Sequence, residues 1–199
     1  MKLGILISGR GSNMTAIVEA AQAGVIPNAE VVVVISDKRS AAGLEKARER
    51  GVETVVIERA GRTRDEHDAE IVAELEKRGA ELVCLAGYMR LLSPGFIRAF
   101  PDRIINIHPS LLPSFRGLDA QKQAFDYGAR ISGCTVHFVD EDLDNGAIIL
   151  QKVVEVLDGD TAESLSARIL EQEHVLYVEA LKLLAGGNYR VEGRRVMFI

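Results

Sequence analysis

Short β-branched runs alternate with longer stretches of helical spacing along most of the chain, the pattern of a parallel sheet covered by helices. Residues 2–8 read as a first strand. Met14, Ile17, Val18 and Ala21 then recur at helical spacing and predict a helix over 13–23. Four consecutive valines make 31–36 a strand buried on both faces, followed by a helix near 41–50 that Gly51 ends. Residues 52–57 predict a third strand, 64–78 a charged amphipathic helix and 81–86 a fourth strand. The first half therefore reads βαβαβαβ.

After Gly87 the rhythm changes to a loop over 88–94, a short helix over 95–100 and a fifth strand over 103–108 that Pro109 stops. The loop PSLLPSFRG follows, then a helix over 119–127. Strands at 133–139 and 147–156 flank the acidic turn DEDLDNG, too short a link for a crossover, so these two are expected to be antiparallel. Asp160 with Glu163 three residues on predicts a capping-box start for a helix to about 184, and the tail YRVEGRRVMFI a small hairpin. With no repeat or linker, the expectation is one domain over 1–199, built of halves 1–100 and 101–199. Its fold class is α/β, doubly wound, with a mostly parallel seven-stranded sheet between helices, a Rossmann-like first half and the last strand antiparallel.

Composition narrows the picture further. At 199 residues and 47% hydrophobic, the chain can bury a sizeable core and is neither disordered nor collagen-like. A net charge of −5, with both signs interspersed, offers no electrostatic footprint for nucleic acid. The start MKLGILISGRG lacks the pattern of a signal peptide, and no apolar run reaches the roughly 18 residues of a membrane span, so a cytoplasmic protein is expected. Cys84 and Cys134 lie in apolar segments and read as buried reduced thiols. His67 and His174 read as surface helix residues. His137, without a second His or Cys at ligand spacing, reads as structural or supporting rather than metal-binding, and no metal is expected.

Three groups of residues carry candidate chemistry. Gly9-Arg10-Gly11-Ser12-Asn13 lies between the first strand and first helix, where backbone N–H groups converge on an anion. The bland alternative is a tight turn with a Ser or Asn cap. A dinucleotide fingerprint asks for a third glycine where Met14 stands, although Asp37 does close the second strand; two polar side chains beside two glycines suit a terminal monophosphate better. Asn106 and His108, two apart on a strand and at its carboxyl end, project to one side and form a pair able to hold a developing oxyanion. Asp144 lies in a turn that is most simply solvated. An EF-hand register from Asp140 fails because Gly146 comes one place late and Gln151 replaces the bidentate glutamate. Folded back toward His108, Asp144 would favour an imidazolium, a proximity that spacing does not reveal. Finally, Glu173 stands on the apolar stripe Leu165, Ile169, Leu176, Ala180, either at its edge or reaching a ligand hydroxyl.

Taken together, SGRGSNM, LAGYMRLLSP, INIHPSLLPSFRG and DLDNGAIILQ closely resemble the phosphoribosylglycinamide formyltransferase branch of the folate-dependent formyltransferases, over essentially the whole chain. The resemblance implies the formyltransferase fold and transfer of the formyl group of 10-formyltetrahydrofolate, a co-substrate, to the amine of phosphoribosylglycinamide in purine synthesis, without a metal. It implies a catalytic trio of Asn106, His108 and Asp144. Gly11, Ser12 and Asn13 would hold the substrate phosphate and Glu173 its ribose hydroxyls. Arg64, Met89, Arg90, Leu91, Leu92 and Asn106, with Asp140, Glu141, Asp142, Leu143 and Asp144, would form the folate site, the arginines near its carboxylates. The implied partners are small molecules alone, with no nucleic acid or membrane, for a monomer or homodimer. The alternatives are a formyltetrahydrofolate hydrolase, which needs no phosphate site, and a non-catalytic phosphosugar-binding module, in which Asn106 and His108 are structural.

Overall fold

The first apolar run becomes β1 (Lys2–Ile7), buried at all but its first residue. In the computed structural model, which describes residues 1–199, the chain divides into two units, Met1–Ile105 and Asn106–Ile199. Within the first, β1 pairs in parallel with β2 (Glu30–Ser36) and with β4 (Leu82–Leu85), and β2 pairs in parallel with β3 (Thr54–Val56). The order β3-β2-β1-β4 is that of a doubly wound sheet, with the chain starting in the middle and turning back toward the other edge. The connections are α1 (Ser12–Gln22), α2 (Ala42–Glu49), α3 (Arg64–Lys77) and α4 (Pro94–Ala99). The third strand is shorter than the pattern predicts because the Val52 N–H closes α2 on the Ala47 carbonyl instead of joining the sheet.

β5 (Ile104–His108) begins in the first unit and ends in the second. In the second unit β6 (Ile131–Phe138) and β7 (Ile148–Glu155) form the expected antiparallel pair. After α5 (Ala120–Tyr127), the long α6 (Ala162–Ala185) packs its stripe, including Leu165, Ile169, Glu173, Leu176 and Tyr177, on β6 and β7. The tail hairpin, β8 (Tyr189–Glu192) and β9 (Arg195–Phe198), is present and joins the sheet where Arg195 pairs with Ile148. Its two strands make nine in all.

Two local expectations are corrected. α6 is capped by Thr161, whose hydroxyl accepts from the Ser164 N–H while Ser164 Oγ accepts from the Thr161 N–H. Asp160 is instead drawn into a two-pronged ion pair with Arg168, at 2.6 and 2.9 Å, so Glu163 is not its capping partner. His67 is not a surface residue: it is 1% exposed, with Nε2 2.7 Å from the Ile57 carbonyl and Nδ1 3.5 Å from the buried Asp68 carboxylate. His174 is half-buried, and desolvation lowers its pKa. Both cysteines are buried free thiols, Cys134 pushed up to about 12 by burial and then by the charge of Glu173.

Candidate functional site

In the first unit the glycine loop enters α1 through Gly11, which is the N-cap itself at φ +70 and therefore supplies no side-chain cap. No acidic residue stands in the first turn, so the positive end of the helix is uncompensated. Ser12 is half-buried and Asn13 buried. The loop is set by close packing: the Gly43 N–H donates to Gly9 O at 3.0 Å and Lys46 Nζ to Arg10 O at 3.0 Å. A Cβ on Gly11 would lie 2.7 Å from Gly43 Cα, so the two glycines let α2 approach the loop. An uncapped helix start in a loop that the Lys46 ammonium meets is suited to an oxyanion group such as phosphate.

The segment after β4 is an exposed strip with its own supports. Met89 and Leu91 are 62% and 58% exposed, whereas Tyr88 and Leu92 are buried and Arg90 half-buried, an alternation of outward and inward side chains about a bend at Arg90. The Met89 N–H donates to Ser8 Oγ at 3.0 Å and the Ser93 N–H to Asp68 Oδ2 at 2.5 Å. Between these, the backbone groups of Arg90, Leu91 and Leu92 make no hydrogen bond within the protein. Arg90 Nε donates to Asp37 Oδ2 at 2.6 Å. Asp37 is thus committed to an arginine and is not presented to a nucleotide ribose, which counts against the dinucleotide reading of the first half. Arg64, first residue of α3, is exposed.

The second unit assembles Asn106, His108 and Asp144. His108, buried at the end of β5, has Nδ1 3.4 Å from Asp144 Oδ2 and Nε2 2.9 Å from the Phe115 carbonyl. Both ring nitrogens therefore face oxygen acceptors. Asp144 reaches back because its own backbone is left-handed at φ +47, a conformation Asp tolerates better than most residues. Its Oδ2 also accepts from the Gly117 N–H at 2.8 Å, tying the turn to the proline loop.

Asn106 is positioned by a residue that sequence reasoning placed in a supporting role. His137 is 1% exposed, and its pKa is lowered first by burial, against opposing contributions from its bond to Phe138 and the charge of Asp144. Nδ1 lies 2.8 Å from the Phe138 carbonyl, which can only accept, so Nδ1 carries a proton and in the neutral ring favoured by burial Nε2 is an acceptor. It faces Asn106 Nδ2 at 3.4 Å. That weak bond orients the amide nitrogen and leaves its second N–H for another acceptor.

The acidic turn is internally bonded rather than simply solvated. Asp140 accepts from the Asp142 N–H at 3.1 Å and from Asn145 Nδ2 at 3.3 Å, while Arg116 reaches Asn145 Oδ1 at 3.1 Å. Gly146 is demanded by packing, since a Cβ there would meet Phe138 O at 1.9 Å. Asp140 is half-buried and Glu141, Asp142 and Leu143 are exposed on the turn. Glu173 is 6% exposed, inside the stripe of α6 rather than at its edge. No cluster of three or more His, Cys, Asp or Glu is arranged to hold a metal, and no helix is long and apolar enough to cross a membrane.

Comparison with known proteins supplies a context for this geometry. The family model described as formyl transferase matches residues 1–181. The chain is similar to the phosphoribosylglycinamide formyltransferase of Escherichia coli (strain K12), at 40% identity over 192 residues, covering 96% of this chain and 90% of that protein. It is 44% identical over 202 residues to the trifunctional purine biosynthetic protein adenosine-3 of Bos taurus, covering 100% of this chain but 20% of that protein. The Chironomus tentans protein of the same name is covered over 14% of its length, so the chain spans a seventh to a fifth of these larger relatives. Among solved structures, glycinamide ribonucleotide transformylase 1 from Symbiobacterium toebii superposes with TM-score 0.98 at 50% identity, covering 100% of this chain and 94% of that one.

Proposed function

Since the chain belongs to the formyl transferase family, we propose that it transfers the formyl group of 10-formyltetrahydrofolate to the amine of N1-(5-phospho-D-ribosyl)glycinamide, a step of de novo purine synthesis. The observation that carries this reading is the meeting of Asn106, His108 and Asp144 in one cluster, with the carboxylate on one ring nitrogen of His108. The whole-length similarity to an enzyme named for that transfer supports the choice of substrates.

The folate supplies an activated formyl carbon. The residues of the chain do the rest. Attack by the glycinamide amine turns the formyl oxygen into an oxyanion, which the second N–H of Asn106 and the charge of His108 stabilise. Asp144 compensates that charge and holds the ring. Because His108 Nε2 faces the Phe115 carbonyl, direct donation to the oxyanion requires that bond to be exchanged. The attacking amine loses a proton and the folate nitrogen gains one, and no covalent enzyme intermediate is required.

In the first unit, the uncapped α1 start with Gly11, Ser12 and Asn13 is assigned to the substrate phosphate. The unbonded peptide groups of Arg90, Leu91 and Leu92, flanked by exposed Met89, are assigned to the edge and face of the pteridine, and Arg64 to the folate carboxylates. In the second unit, Glu173 is assigned to the ribose hydroxyls, which accounts for a carboxylate inside an apolar stripe. The 140–144 turn and Asn106 complete the folate contacts. The setting is cytoplasmic, in keeping with two reduced thiols, and the partners are small molecules acting on a monomer or homodimer.

The test is the loss of 10-formyltetrahydrofolate absorbance with and without the ribonucleotide, repeated with His108→Ala. Consumption that depends on the ribonucleotide and disappears in the variant is the expected result. Consumption without ribonucleotide would indicate a hydrolase, and none at all a binding module.

A further inference from the structure

Arg90 sits on the inward side of the 88–92 strip, between buried Tyr88 and Leu92, while its neighbours Met89 and Leu91 face outward. An arginine directed into a protein needs a counter-charge. Asp37, at the end of β2, provides it: its side chain is 1% exposed, against 31% for that of Arg90, and the two meet at 2.6 Å. Its other oxygen, Oδ1, is buried without a partner, so Arg90 is the anchor of this carboxylate as much as the reverse. The ends of the strip are held separately, by Ser8 and Asp68 on the Met89 and Ser93 N–H groups. Beside the burial of Tyr88 and Leu92, the Asp37–Arg90 pair is the polar contact that holds the middle, where the peptide groups are unbonded.

We infer that Asp37 is a positioning residue: through its ion pair with Arg90 it fixes which side of the strip faces inward, and so presents the 90–92 peptide groups in one arrangement for the folate heterocycle. This rests on the folate reading of that strip. Because the chain bends at Arg90, loss of the inward anchor frees that bend and turns the 90–92 peptide groups with it. The pair also neutralises Arg90. The free cation left for folate carboxylates is Arg64, exposed at the start of α3.

The experiment is steady-state kinetics on the whole chain, wild type beside Asp37→Ala, with melting temperature recorded for each. Asp37→Ala is expected to raise KM for 10-formyltetrahydrofolate about tenfold, with kcat and the ribonucleotide KM within about threefold of wild type. Adding Arg90→Met, which needs no counter-charge, is expected to bring the folate KM back toward wild type. Should Asp37→Ala not fold, Asp37→Asn, which keeps an acceptor for Nε but removes the charge, is measured in the same assay: a rise in the folate KM smaller than about tenfold, with the ribonucleotide KM unchanged, is expected. An unchanged folate KM in folded Asp37→Ala (or, where that does not fold, in Asp37→Asn), a parallel rise in both KM values, or no recovery in the double variant overturns the inference while leaving the transferase intact. A wild-type protein that consumes no folate removes the transferase reading itself and this inference with it.

Discussion

Replacing Gly11 by alanine probes the glycine loop, assigned above to the substrate phosphate, through geometry alone. The residue holds φ +70, where an L side chain costs about 1 kcal/mol or more. The new methyl would also stand 2.7 Å from Gly43 Cα and 3.1 Å from Met14 Cε. The methionine end can move, but the Gly43 backbone belongs to α2, and overpacking of this kind costs roughly 1–3 kcal/mol. The sum is about 2–4 kcal/mol, and at this chain length it lowers the melting temperature by about 5–15 °C. Gly9→Ala is the internal control: no heavy atom lies within 4 Å of its Cβ and the residue is not at positive φ, so its cost stays within about 0.5 kcal/mol. The assay pairs thermal melts with KM for the ribonucleotide. That KM should rise for Gly11→Ala and the folate KM should not. Equal melts for the two variants would refute the close-approach argument, and an unchanged ribonucleotide KM in Gly11→Ala would refute the phosphate assignment.

Asn106→Ala should cost about 2–4 kcal/mol in the transition state, read as a kcat loss, while its melt stays near wild type because the bond it loses, to His137 at 3.4 Å, is weak; a kcat within threefold would sink the oxyanion role. The pKa of His137 is lowered in the folded state from 6.5, so the unfolded chain takes up the proton first. Its share of stability is complete above about pH 6.5 and declines as pH falls toward the lower folded value. Melts at about pH 7.5 and 5.5 should therefore differ more in wild type than in His137→Gln, and an equal difference would contradict the assignment. Thr161→Ala should cost about 1 kcal/mol by removing the α6 cap, detectable in urea unfolding; no shift would return the capping role to Asp160.

Strands and helices were legible because β-branched runs and helical spacing are local signals, and β1, α1 and β6 follow them to within a residue or two. Residues whose partners lie far along the chain were not. His67 sits among charged residues of α3, and its burial depends on the Ile57 carbonyl ten positions earlier together with the neighbouring Asp68 carboxylate. Asp160 and Thr161 are both good caps by type, and the choice between them was made by Arg168, one or two turns into the helix. Asn106 and His108 share a side of β5 by simple alternation and could be paired from spacing. Asp144 could not, because its approach depends on a left-handed residue within the acidic turn. Asp37 reads as an acid at a strand end, but the partner that redirects it is 53 positions away.

The unbonded peptide groups at 90–92 bear on how the site can change over time. A ligand read by backbone atoms meets the same N–H and C=O groups whatever side chains stand there, so point substitution is a poor route of escape from an inhibitor that mimics that edge. Proline is the exception, since it deletes an N–H outright. On the folate assignment proposed above, substitutions at the supports of the strip, Asp37 and Arg90 among them, would disturb such an inhibitor and the folate alike.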